Sequence, residues 1–401
     1  MRLMSPKQPK FIWQQPSWRR FAVQADSVAA DLARAHKSHG VVEGQAAAIG
    51  VTLDGEVAVH VLSAEVIATA AIEGQHYSAA AVRSSVLRRL GLPHTGGTDR
   101  HVDGLVEVIN DATDNFAVPL DADRLCRWQS ALFPGGTSGI QRIAVGRFRD
   151  HAEPMQIVSG QADRETVHYE APPSRSVPAE MDHFLEWFNA TDPTKPAAPG
   201  AAMDGFTRAA IAHLWFELIH PFEDGNGRVG RAVMDMAIAQ HQGKPLRLYS
   251  VSQQLMSHRA EYYEALNQAA RGTGDVTEWV RWFARQVTSA CEASSSIIDQ
   301  AIQKRRFWER HGSEAVNPRQ RKVLQRLLDD GDGGFAGGLN AEKYMKMTGA
   351  SKPTATRDLA AMVAAGQLWT SGAGKAVRYY VAMPGWTHGV EARNHEPPSA
   401  P

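Results

Sequence analysis

The stretch His220-Pro221-Phe222-Glu223-Asp224-Gly225-Asn226-Gly227-Arg228-Val229-Gly230-Arg231 constrains this chain more than any other. Apolar residues Ile211, Leu214, Trp215 and Leu218 recur at helical spacing before it. Val229, Ala232, Val233, Met236 and Ala237 do the same after it. A proline and two glycines stand between the two runs and break the helix. The pattern predicts helix, tight loop, helix. Gly225 and Gly227 let backbone come close to a ligand. A helix starting near Asn226 or Gly227 turns free N–H groups and a positive dipole end into the loop, which makes an anion site. Arg228 and Arg231 are three apart, share one face of the first turn, and suit phosphate oxygens. Asp224 is a carboxylate beside that site and can hold Mg²⁺, which takes one or two carboxylates plus substrate phosphates. His220 ends the first helix at the mouth of the loop and can accept a proton near neutral pH.

The stretch resembles the signature of Fic-domain enzymes, His-Pro-Phe-x-Asp/Glu-Gly-Asn-Gly-Arg-x-x-Arg, and matches it at each fixed position. The resemblance implies a protein adenylyltransferase: AMP passes from ATP, with Mg²⁺, to a Ser, Thr or Tyr hydroxyl of a target protein or of the chain itself. His220 is then the catalytic base. Asp224 is the metal ligand. Gly225, Asn226, Gly227, Arg228 and Arg231 bind phosphate, with Arg231 on the γ-phosphate. Pyrophosphate leaves.

A chain of 401 residues with balanced charge, 43 basic and 43 acidic residues, has length for one to three domains and no dominant electrostatic pull toward nucleic acid. Cys126 and Cys291 have no metal or redox spacing, so a reduced, cytoplasmic compartment is expected. No apolar run has membrane-spanning length, and Met1 to Pro16 carries no apolar signal core, so no membrane partner is expected.

Residues 1–100 read as an N-terminal helical domain, similar to one found ahead of some bacterial Fic domains. Trp13, Trp18 and Phe21 open it, Ala29 to His36 has helical composition, and residues 51–55 are read as a turn. Val57 to Gly74 is rich in Ala, Val and Ile, as a buried helix would be. Its end, Thr69-Ala70-Ala71-Ile72-Glu73-Gly74, resembles the Fic inhibitory pattern Ser/Thr-x-x-x-Glu-Gly/Asn. Thr69 and Glu73 share a helix face, and Gly74 suits a helix C-terminus. A carboxylate buried there needs a partner. The resemblance names Arg231, which makes the chain an autoinhibited enzyme with Glu73 blocking the productive pose of ATP.

Residues 101–300 are expected to form the Fic catalytic domain, all-helical with one small β flap. Helices are predicted over 102–117, 120–132, 177–188, 206–219, 226–242, 255–270 and 276–302. Short strands are predicted over 143–148 and 155–158. Gln141-Arg142 stand where the family has Gly-x-x-Arg. Val167-His168-Tyr169-Glu170 resembles the flap, whose edge could hold a target segment by strand addition. His168 and Tyr169 read as packing or surface residues rather than catalytic ones.

Residues 301–314 read as a charged linker and 315–385 as a winged helix-turn-helix: three helices, then strands at 367–369 and 378–381. Ser351 is a candidate cap for the third helix. Ten basic against five acidic residues over 315–380 give a net of +5. Lys352, Arg357 and Lys375 could face DNA phosphate, or the module could bind protein, and a homodimer is also open. Residues 386–401 read as a polar, flexible tail. The fold expected is therefore mainly α. Three other functions stand beside adenylyl transfer: removal of AMP from a target, a nucleotide-sensing DNA-binding regulator, and a scaffold without turnover.

Overall fold

A computed structural model describes residues 10–49, 55–94, 96–159, 166–195, 203–244, 248–312, 316–331, 335, 337–384 and 386. The expected turn at 51–55 lies almost wholly outside these residues, and the tail wholly beyond Trp386 lies outside them too. The chain divides into two compact units, Met1–Ser295 and Ser296–Pro401.

The first unit opens with helices α1 (Ala25–Ile49), α2 (Gly55–Ile72), α3 (Ala79–Arg89), α4 (Arg100–Asp114) and α5 (Ala122–Leu132). Two hairpins follow: β1 (Thr137–Ser138) with β2 (Gln141–Arg142), and β3 (Gln156–Ser159) with β4 (Thr166–Glu170). Then come α6 (Val177–Ala190), α7 (Gly205–Ile219), α8 (Asn226–Gln242), α9 (Val251–Ser257), α10 (Arg259–Ala270) and α11 (Thr277–His311). The fold is mainly helical, with only small antiparallel hairpins among the described residues.

The centre is the pair α7 and α8, which pack on each other; α4 and α5 cover α8, and α6 covers α7. Every residue of α7 is buried, from Gly205 to Ile219. A helix buried all round belongs in a core, and here Thr207, Arg208, His213 and Glu217 are buried with its apolar residues. Asp204 caps α7 by accepting from Thr207 N, and Asp121 caps α5 by accepting from Arg124 N, as acidic residues at a helix start should. Helix α2 lies against α3, α8 and α9, burying Val59, Val61, Val66, Ala70 and Ile72. That contact brings the end of α2 to the start of α8.

Several elements differ from the sequence reading. The stretches 29–36 and 43–49 belong to one helix, α1. Residues 143–148 are not a strand; β1 and β2 lie just upstream, where Gly139 at φ 56° turns the chain. The β3–β4 hairpin carries a register irregularity at Ile157/Val158. The predicted helix 255–270 is two, α9 and α10, because His258 leaves helical geometry at φ −113°, ψ 36°. Residues 301–311, read as linker, continue α11: Phe307 is buried and anchors that end of the helix in an apolar cluster.

The second unit adds α12 (Pro318–Asp329), α13 (Ala341–Thr348), α14 (Lys352–Ala364) and the hairpin β5 (Leu368–Ser371) with β6 (Arg378–Val381). Val323, Leu324, Leu328, Tyr344, Leu359, Met362 and Val381 fill its core. Asn317 and Gln320 form a capping box at α12. Ser351 stands at the cap position of α14 but makes no capping bond; its hydroxyl pairs with Thr354 Oγ1 at 3.0 Å.

Candidate active site

The loop between α7 and α8 is held from within and from outside. His220 ends α7 in the left-handed region at φ 52°. A non-glycine residue there, before a proline, costs roughly 1–2 kcal/mol, so neighbours must hold it. Arg149 does so: its Nε donates to His220 O at 2.7 Å, and its backbone N donates to Pro221 O at 2.9 Å. Its other donors reach Ser174 Oγ, Pro172 O and Ile219 O. Sequence reading missed this buried arginine, because nothing local marks a side chain that serves carbonyls 70 residues on. Asn226 closes the loop by a reciprocal pair with Phe222: the Phe222 N–H donates to Oδ1 and Nδ2 donates to the carbonyl, both at 2.8 Å. Its side chain therefore shapes the cradle and is not itself aimed at a ligand. Gly225 precedes α8 at φ 87°, and a Cβ there would meet Phe133 at 2.9 Å.

A cavity of about 680 Å³ opens over this loop. His220, Asp224, Gly225, Asn226, Gly227 and Arg231 line one side. Arg259, Tyr262, Tyr263, Leu266 and Asn267 of α10 line another. Met155, Gln156 and Tyr169 of the β3–β4 hairpin reach its edge. Tyr169 is buried, and its hydroxyl donates to Leu218 O at 2.6 Å, so it ties the hairpin to α7. Trp13 Nε1 donates to Glu170 O at 2.7 Å and ties the N-terminal segment to the same hairpin. Val167 and His168 are described by backbone alone: Val167 pairs with Val158.

Glu73 enters this cavity from α2. Arg231 Nη2 donates to Glu73 Oε1 at 2.7 Å, and to Thr69 O at 3.0 Å; Nε donates to Thr69 Oγ1 at 2.6 Å. Arg231 is 1% exposed and Glu73 31% in their side chains. Burial works to raise the Glu73 carboxyl, but the charge and hydrogen bond of Arg231, with Arg228 behind, outweigh it and hold it below 4.5. Burial works against Arg231 as well, and Glu73 again more than offsets it, so the guanidinium stays charged. A Cβ on Gly227 would stand 2.1 Å from Glu73 Oε1, so α8 is notched where the carboxylate sits. Gly74 follows at φ 73°, turning the chain off the helix.

The two signature arginines separate. Arg231 faces the cavity. Arg228 does not line it: Nη1 donates to Gln75 Oε1 at 3.1 Å, Nη2 lies 3.5 Å from Asp224 Oδ1, and the guanidinium sits over the Phe133 ring. Gln75 was not anticipated; a neutral residue just past a motif carries no signal. Arg142 is exposed on β2.

Asp224 keeps 37% of its side-chain surface. It accepts from Gly225 N at 2.5 Å and from Ser138 Oγ. The neighbouring Glu223 also lines the cavity and accepts from Ala144 N at 2.8 Å. Among the described residues no group of three or more His, Cys, Asp or Glu could by itself hold a metal ion. One half-open carboxylate at the rim of this cavity still fits Mg²⁺, whose remaining ligands are phosphates and water.

His220 Nδ1 lies 3.3 Å from Glu217 O. Burial pushes its pKa down to about 4, against that hydrogen bond, so the ring is neutral at pH 7. The Nδ1–H tautomer satisfies the carbonyl and leaves the Nε2 lone pair free. Glu217 is buried beside it, and burial pushes its carboxyl up to about 8.

Parts of the chain are similar to known proteins. Residues 119–238 match the profile described as Fic/DOC family, and residues 11–92 match one described as a domain of unknown function, DUF4172. Protein adenylyltransferase Fic of Nematostella vectensis is 31% identical over 140 residues, 35% of this chain and 29% of that protein. Protein adenylyltransferase fic-1 of Caenorhabditis briggsae is 42% identical over 84 residues, 21% of this chain and 15% of that protein. The chain thus spans less than a third of the length of these relatives. A crystal structure of a Fic family protein from Desulfovibrio desulfuricans covers 91% of this chain and 98% of that one, with a TM-score of 0.52 at 18% identity, a likeness of fold. The helix–loop–helix around His220 lies inside the matched segment, so residues 119–238 carry the likeness to the Fic/DOC family.

Proposed function

We propose that the chain is an autoinhibited protein adenylyltransferase, moving AMP from ATP to a Ser, Thr or Tyr hydroxyl of a target protein or of itself. The observation that carries this reading is the Glu73–Arg231 pair inside a cavity that also holds His220, Asp224 and the start of α8. The chain's own groups divide the work. His220 Nε2 takes the proton of the attacking hydroxyl; a positioned base contributes roughly 10²–10⁴-fold. Backbone N–H groups of Gly227 and its neighbours at the α8 start receive phosphate oxygens. Arg231, once free of Glu73, holds the γ-phosphate so that pyrophosphate leaves in line. Asp224 would hold Mg²⁺, which supplies charge neutralisation on the phosphates. The hairpin edge offers backbone for a target segment. While Glu73 occupies Arg231, the cation is spent and the triphosphate lacks its anchor.

Mass spectrometry of the Glu73→Gly protein with Mg²⁺ and each nucleoside triphosphate tests this. A gain of one adenylyl group with ATP is the expected result. No gain with any donor, in a folded protein, would remove the transferase reading. Assaying the same modified target for AMP loss separates transfer from the reverse reaction.

A second reading concerns the second unit. The order α12, α13, α14, β5, β6 suits a winged helix-turn-helix, and Lys352, Thr356 and Arg357 are exposed on α14. We read α14 as the face of a DNA-binding module. Binding to duplex DNA that weakens steeply with salt supports it; salt-independent or absent binding favours a protein partner.

A further inference from the structure

Glu217 and Glu223 are the cavity-lining carboxyls that the reading above leaves without work, and of the two Glu223 already accepts from Ala144 N. Glu217 stands on the last turn of α7, 9% exposed, with its carboxyl between His220 and α8. Space is cut for it: a Cβ on Gly230 would lie 2.6 Å from Glu217 Oε1. That oxygen has no hydrogen-bond partner among the described residues. Among those residues no lysine or arginine nitrogen comes within ion-pair reach of the carboxyl. The one ionisable nitrogen that does is His220 Nδ1, 4.0 Å from Oε2. Arg231 lies near enough on α8 for its charge to act on Glu217, but its Nε and Nη2 donate to Thr69 and Glu73. A buried carboxyl with no cation and an unfilled acceptor is costly. Such an arrangement makes sense if the neighbouring ring becomes charged during the reaction.

Resting on the adenylyltransferase reading, we propose that Glu217 is a positioning residue for His220, its carboxylate serving as counter-charge to the imidazolium. The proton balance is simple. The hydroxyl proton moves to His220 Nε2 as the oxygen bonds the α-phosphorus and the bond to pyrophosphate breaks. Nδ1–H stays on the Glu217 carbonyl, and the positive ring faces Oε2. The proton then leaves Nε2 for solvent, and the ring returns to its neutral Nδ1–H form. The groups that tune Glu217 are Arg231 from α8, Glu73 from α2 and Tyr262 from α10; Arg149 and Asp224 act on His220. Neutral Glu217 leaves His220 a weak base. Ionised Glu217 strengthens it, so the transfer rate rises again where Glu217 loses its proton; without Glu73 that point moves down, because the Glu73 charge helps to raise the Glu217 carboxyl.

The test is the pH–rate profile of AMP transfer in the full chain carrying Glu73→Gly, with and without Glu217→Gln, and with Glu217→Asp as the variant that keeps a carboxyl. The expected result is that Glu217→Gln lowers kcat about tenfold at the top of the upper rise, the equivalent of one unit of ring basicity, and abolishes that rise while KM for ATP stays within twofold. Glu217→Asp retains an upper rise. A Glu217→Gln profile that superimposes on its parent, rise included, overturns the inference while the transferase reading stands. A parent with no transfer at any pH overturns that reading first, and this one with it.

Discussion

Two helix ends meet at Arg231, and they are built on opposite terms. The start of α8 is buried except where the cavity opens at half-buried Gly227: Asn226, Arg228, Val229, Gly230 and Arg231 are all in the core. Its loop is locked by Asn226 on Phe222 and by Arg149 on His220 and Pro221. The end of α2 has a buried body, with Val66, Ala70 and Ile72 inside, but Glu73 and Gly74 are exposed and Gln75 is half-buried. Side-chain bonds from Thr69, Glu73 and Gln75 are what hold that end down. The difference teaches which part is permanent. The cradle is pre-organised by packing, whereas its cover is the kind of helix end that opens at low cost.

The comparison breaks most visibly at His220. His220→Ala, made in the Glu73→Gly protein, should lower AMP transfer by about 10²–10⁴-fold while Tm stays close to the parent. A full rate would take the base role away from the fixed side. On the movable side, Glu73→Gly alone should raise transfer by about 5–150-fold, the range of ordinary coupling between sites. An unchanged rate in a folded protein would mean that the cover does not restrain the cradle. Acid offers the same test through stability. The folded carboxyl of Glu73 lies below 4.5, so its pairing contributes fully above that value and is lost as pH falls beneath it. Denaturant titrations from about pH 5 down to about pH 3 should show the wild type losing more than Glu73→Gln. Equal losses would say that Arg231 is not what holds the end of α2.

Much of this was legible because it is local. The helix–loop–helix and the face shared by Thr69 and Glu73 follow from spacing and residue type. Arg231 as the partner of Glu73 came from family likeness, since 158 positions separate them and no periodicity spans that. The unread parts are non-local. Arg149 acts on carbonyls far along the chain, Asn226 turns inward to bond Phe222, and Gln75 meets Arg228. The three-residue spacing of Arg228 and Arg231 implied one shared face toward phosphate, but packing against Phe133 draws Arg228 aside. The break at His258 and the extension of α11 past 302 were set by tertiary packing over a helical pattern that reads the same either way.

Two smaller changes sharpen the contrast from each side. Gly227→Ala would place a methyl 2.1 Å from Glu73 Oε1 and 3.0 Å from Arg231 Nη1. Overpacking of this kind costs about 1–3 kcal/mol. The cost should shrink sharply when Glu73 is already glycine, because the clash is with that carboxylate, and a double-mutant cycle reads the coupling. Additive losses would place the strain inside α8 itself.

The smallest effect belongs to Gln75, which meets Arg228 by one neutral hydrogen bond of 3.1 Å. Such a bond is worth about 0.5–1.5 kcal/mol net, so Gln75→Ala should raise transfer by about two- to tenfold at most. In the Glu73→Gly protein it should add almost nothing, since the segment is then already released. If Gln75→Ala instead matched Glu73→Gly, the grip of the cover would lie on Arg228, and the buried charge pair at Arg231 would be a by-product of packing. If it lowered transfer in both backgrounds, Gln75 would be orienting Arg228 for phosphate, and the line between cradle and cover would fall one residue beyond Gly74 rather than at Ile72.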